Sequence, residues 1–170
     1  MASLIESLAD IMDKENIEYE KFLELSNDKT ASIVNGDVEQ LQIILGKEQR
    51  LIEKIDKIEA ERKSIVADIC SVLRLPAEEI NVEQIVRILE KKPKEHDLLQ
   101  EAHLKLKRTI DSLVKINENN KVLLRESMDM IEFELNLARN TLLAPTTATY
   151  SKNAYEQHSA RGVGGFDAKQ

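Results

Sequence analysis

Apolar residues recur along this chain at spacings of three and four, and no stretch alternates apolar with polar as a strand would. That spacing gathers them on one face of an α-helix. Leu4, Leu8, Ile11, Tyr19, Phe22 and Leu25 mark a first helix, predicted to start at Ser3 with Glu6 completing a capping box. Its pattern weakens around Ser26-Asn27-Asp28 and ends near Asn35-Gly36, where glycine can take the left-handed closing conformation. Asp37 then caps a second helix, with Gln40 at its third position. In that helix Leu41, Ile44, Glu48, Leu51, Ile55, Ile58, Arg62, Ile65, Ile69 and Val72 alternate steps of three and four without a slip. Glu48 and Arg62 break its apolar character. Either Arg62 snorkels and Glu48 sits at an edge, or both meet polar groups on a neighbouring helix. The interleaved charges between Lys47 and Lys63 otherwise read as a solvated face. Leu75-Pro76 stops the helix, because the residue before proline is pushed out of the α region. Asn81 with Gln84 opens a short helix carrying Val82, Ile85, Val86, Ile88 and Leu89, closed by Pro93. The last helix is predicted from about Lys94 to Leu143, roughly 75 Å at 1.5 Å per residue.

The last helix departs from the rule that seams are apolar. Leu106, Ile110, Leu113, Asn117, Asn120, Leu124, Ser127 and Ile131 share one face, with asparagine where leucine is expected. Asparagine is a mediocre helix former, and an unpaired buried amide costs roughly 1–3 kcal/mol. Polar residues in a seam fix helix alignment at some cost in stability, which makes Asn117 and Asn120 candidates for setting register or a kink. Beyond them the helix is apolar on two faces. Leu124, Met128, Ile131, Leu135, Ala138 and Leu142 form one stripe, and Leu123, Met130, Phe133 and Leu137 a second. A helix between two neighbours needs a wide apolar surface; a helix without neighbours presents a binding surface.

Composition narrows the function classes. Charged residues make up 32% of the chain and aromatics 4%, with five Gly, three Pro and no Trp, which favours long helices over sheets. A net charge of −7 disfavours nucleic-acid partners and anionic membranes. No apolar run reaches the roughly 18 residues that span a bilayer, and the first ten residues carry acids where a signal peptide needs a basic end. Cys70, the sole cysteine, reads as a small buried hydrophobe. Acidic residues lie among bases at salt-bridging spacing, so no catalytic carboxylate pair stands out. His96 and His103 lack the closely spaced partners of a metal site, and Gly162-Val163-Gly164-Gly165 lacks the strand and lysine of a phosphate loop. The reading is a cytoplasmic, non-enzymatic protein with no cofactor, no metal and no membrane insertion. From Pro145 periodicity is lost, so residues 1–144 are expected to form a helical domain and residues 145–170 a flexible, disordered tail.

The pattern Leu113-x3-Asn117-x2-Asn120-x2-Leu123-Leu124-x2-Ser127-Met128, followed by Ile131, resembles the C-terminal signature of the FlgN family of flagellar type III export chaperones. Gly36-Asp37, Leu41, Glu48, Ile58-Glu59-x2-Arg62 and the Leu75-Pro76 break are similar to the family's second-helix pattern. With the periodicity, the resemblance implies an all-α, elongated antiparallel three-helix coiled-coil bundle with a short connecting helix. It implies that hook-associated proteins FlgK and FlgL are clients, and the apolar surface Leu123–Leu143 read from the stripes, with Leu123, Met128, Met130, Phe133, Leu137 and Leu142, is the face expected to hold them. It further implies docking to the flagellar export gate through Tyr150, although Ser151-Lys152-Asn153 follows where the family often has glycine. The alternative is a structural adaptor that forms a homodimer through the same stripe.

Overall fold

The computed structural model describes residues 2–74 and 80–143. Among them every regular element is a helix: α1 (Ala2–Asn35), α2 (Val38–Leu73), α3 (Val82–Ile88) with a 3-10 turn at Leu89–Lys91, and α4 (Pro93–Leu143). No described helix is long and apolar enough to cross a membrane. The chain divides into two compact units, Met1–Ile131 and Glu132–Gln170.

In the first unit the turn between α1 and α2 is set by local chemistry. Gly36 sits at φ +66°, where a Cβ would be disfavoured. Its N–H donates to the Ile33 carbonyl at 3.1 Å and the Asp37 N–H to the Ser32 carbonyl at 2.9 Å. This pair of bonds satisfies two carbonyls that the helix end leaves open. The Asp37 carboxylate then accepts from the Gln40 N–H at 2.9 Å and caps α2. Asn81 and Gln84 form a reciprocal capping box at 2.9 and 2.8 Å and start α3. Pro93 opens α4 as its first residue, a position where the missing N–H has no intrahelical partner anyway.

Three details differ from the sequence expectation. Ser3 lies inside the first turn of α1 rather than before it, and its carbonyl accepts from the Ser7 hydroxyl at 2.7 Å. Helix α1 continues unbroken through Ser26-Asn27-Asp28. There the Asn27 side chain shares the Leu23 carbonyl, one turn back, at 3.0 Å and the Ser26 hydroxyl bonds to α4, so neither side chain draws a backbone N–H out of the helix ladder. Helix α2 ends at Leu73, and Arg74 closes it at φ 56°, a left-handed conformation rare outside glycine.

The order of ion pairs gives the helix directions. Glu15 meets Arg62, Glu18 meets Lys54 and Lys29 meets Glu48, so α2 runs antiparallel to α1. Hydrogen bonds from Thr109 to Asn16, Ser26 to Asn117 and Thr30 to Asn120 rise together, so α4 runs parallel to α1. The apolar core lies where the start of α1, the end of α2, α3 and the start of α4 converge. It contains Ile5, Leu8, Met12, Ile69, Ile85, Leu99 and Leu106, and Cys70 is buried beside Ile69 as expected. Each such side chain contributes about 1.5–3 kcal/mol on burial. Further along, buried polar residues such as Glu48 and Asn120 are interspersed with buried Ile33, Ile44, Ile55 and Leu113.

Candidate functional site

The two asparagines of α4 face α1. Asn120, 3% exposed, donates to the Ser26 carbonyl at 2.8 Å and accepts from the Thr30 hydroxyl at 2.6 Å. Asn117 accepts from the Ser26 hydroxyl at 3.2 Å. One turn of α1 thus meets both amides, and the seam's polar positions are matched across the interface. Glu48 and Arg62 follow the same logic on α2. Lys29 reaches Glu48 at 2.7 Å, and Arg62 Nε lies 2.8 Å from a Glu15 carboxylate oxygen without a well-aligned hydrogen bond. Of the two readings of these seam charges, pairing with a neighbouring helix is the one realised.

The seam is buried only as far as Asn120. Leu106, Leu113 and Asn120 are covered, whereas Leu124 is 41% and Ile131 57% exposed. Every residue from Met128 to Leu142 is exposed. In the first unit this leaves Met128 and Met130 bare, while Leu123 is half-buried. In the described part of the second unit Phe133, Leu135, Leu137 and Leu142 are bare, Leu142 at 85%. Tyr150 lies outside the described residues, as does the whole segment expected to be a disordered tail.

Two concavities in the first unit combine helices far apart in sequence, and periodicity alone gives no sign of them. One, about 310 Å³, has apolar walls from Phe22, Ile33, Leu41, Leu45 and Leu124, with Asn117, Asn120, Lys29 and Lys121 completing it. The other, about 420 Å³, holds Glu15, Tyr19, Glu59, Arg62, His103 and Lys107 above an apolar floor. Burial pushes the Glu15 carboxyl up, with Arg62 beside it working the other way. Burial also raises the Tyr19 phenol, helped by the Glu15 charge, and lowers His103. Glu18, outside this cavity, is held low by its hydrogen bond from Lys21, against the effect of its own burial. His96 lines a smaller concavity together with His103, and its Nδ1 lies 2.9 Å from the Asp97 carboxylate.

No curated protein and no solved structure matches the chain. The family model described as FlgN protein matches residues 1–157. That span takes in the capped α1–α2 turn, the paired seam charges, both asparagines and the exposed stripe of α4. The chain belongs to the FlgN family of flagellar export chaperones.

Proposed function

We propose that this protein is a cytoplasmic chaperone that holds the hook-associated proteins FlgK and FlgL before secretion and delivers them to the export gate. It acts by covering surface, without catalysis or cofactor. The observation that carries the reading is the exposure of large apolar side chains late in α4: Met128 and Met130 in the first unit, and Phe133, Leu137 and Leu142 in the second, are each more than half exposed. Soluble chains rarely leave so many large apolar side chains uncovered together. An amphipathic client helix laid against that end buries both its own apolar face and this one. Methionines suit the task because their unbranched side chains repack against different shapes. Leu123, half-buried, marks where the client face begins.

In this reading α1, α2 and α4 make an elongated three-helix bundle within residues 1–144. The hydrogen bonds of Asn117 and Asn120 to α1 set the register of α4, and so the position of the client face. Residues 145–170 serve as a flexible arm whose Tyr150 meets the gate. Charge argues against the alternative of a dimeric adaptor. Residues 126–134 carry Glu126, Asp129, Glu132 and Glu134 and no base, so two copies of this face pairing with each other would oppose like charges.

Substitution tests the face. Met130→Glu or Leu137→Glu should weaken binding of a FlgK or FlgL terminal helical segment by about tenfold or more, since each loses about 1.5–3 kcal/mol of apolar burial. Far-ultraviolet circular dichroism should be unchanged. Unaltered affinity in both variants would move the client elsewhere, and a stable dimer on sizing that either variant dissolves would favour the adaptor.

A further inference from the structure

The concavity between α1, α2 and α4 has a chemistry that the exposed stripe lacks. Its walls are apolar, and its volume of about 310 Å³ is roughly twice that of an engineered cavity known to take benzene. It therefore has room for large apolar side chains. Its charged groups are Lys29 and Lys121, and no carboxylate lines it among the described residues. Lys29 is engaged by Glu48 at 2.7 Å, while Lys121 makes no ion pair with any described residue. Asn117 uses its carbonyl oxygen on Ser26, and its amide N–H groups donate to no described residue. The cleft thus offers an ammonium and an amide donor above an apolar wall. Leu124 belongs both to that wall and to the stripe that continues through Met128 and Ile131 of the same unit.

A helix end matches this combination. The last four carbonyls of any helix lack intrahelical partners, and that end carries a partial negative charge. We infer that the cleft receives the carboxyl-terminal end of a client helix, with its last apolar side chains against Leu41, Leu45 and Leu124. Lys121 and Asn117 then cap its open carbonyls or terminal carboxylate. The inference rests on the client reading above and adds a direction: the client helix has its C-terminus at Leu124 and extends from there along the stripe of Met128 and Ile131. An N-terminal helix end, with its positive partial charge and bare N–H groups, would meet a cation and a donor and is disfavoured there.

The test measures binding of the C-terminal helical segment of FlgK, labelled at its N-terminus, to the full chain by fluorescence anisotropy. The peptide is used with a free carboxylate and as the carboxamide. Lys121→Glu and Leu45→Asp, both at exposed positions, should each weaken binding about tenfold or more with helix content retained. The carboxamide should bind several-fold more weakly than the carboxylate to the unmodified chain, a difference that Lys121→Glu removes. If Leu137→Glu weakens binding while Lys121→Glu and Leu45→Asp leave it intact, the cleft inference fails and the client reading stands. If the unmodified chain binds no peptide, both fail. A dimer on sizing that Lys121→Glu dissolves would assign the cleft to a second copy and overturn the inference.

Discussion

At the residue scale, single polar side chains in the helix interfaces are each answered by a partner. Asn120 bonds to both Ser26 and Thr30, so Asn120→Ala removes two hydrogen bonds and leaves the Thr30 hydroxyl and the Ser26 carbonyl only their bond to each other at 3.0 Å. Urea denaturation should show a loss of about 1–3 kcal/mol, with helix content unchanged. Arg74 presents the opposite case: its φ of 56° is a strained conformation for any side chain with a Cβ. Arg74→Gly should raise the unfolding free energy by about 0.5–1 kcal/mol in the same assay. His103 supplies a pH signature. Burial lowers its pKa below the ordinary 6.5, so the fold favours neutral imidazole. Its contribution is fully present above the unfolded value and is lost as pH falls through the folded one. Stability should therefore fall as pH drops from about 7.5 to 5.5, and His103→Gln should flatten that slope. The asparagines could be picked out in the sequence because an amide violates a seam of leucines. Ser26 and Thr30, more than 80 residues away, could not be named as their partners, since no local pattern links them.

At the element scale, caps and turns were legible and packing partners were not. Gly36, Asp37 with Gln40, and Asn81 with Gln84 act through neighbours a few residues away, so their chemistry lies open in the sequence. The start of α1 and the end of α2 shifted by a residue or two, because helix ends are set by several weak competing bonds. Glu48 and Arg62 had two readings while α2 stood alone, and α1 decides between them by supplying Lys29 and Glu15. The Lys29–Glu48 pair makes the energetics testable. Its side chains are 19% and 8% exposed, so Glu48→Met should cost about 1–2 kcal/mol by leaving a mostly covered ammonium unpaired. The double replacement Lys29→Met, Glu48→Met should recover most of that loss, as an apolar pair of similar volume needs no desolvated charge. A double-mutant cycle by chemical denaturation checks both values.

At the scale of the whole molecule, the first unit grades from an apolar core to layers in which buried polar and apolar residues mix. Ile5, Leu8, Met12, Ile69 and Ile85 pack in one core with Leu99 and Leu106 at the start of α4, while hydrogen bonds to Asn117 and Asn120 hold it further on. Periodicity revealed the apolar stripes of α4 but not whether they were covered, because a covered face and a bare one have the same spacing. The exposure of Met128 through Leu142 supplies that missing fact. The cleft beside Leu124 was illegible for a different reason: it exists only where three helices meet.

The central claim is that this bare face of α4 holds a client helix. A calorimetric titration of the full chain with the C-terminal helical segments of FlgK and FlgL, at moderate and high salt, tests it most directly. Apolar burial is little screened by salt, so the account predicts one-to-one binding that persists in high salt, weakened at most by the several-fold share of the Lys121 contact. Absence of binding to either segment would contradict it, and so would binding that vanishes in high salt.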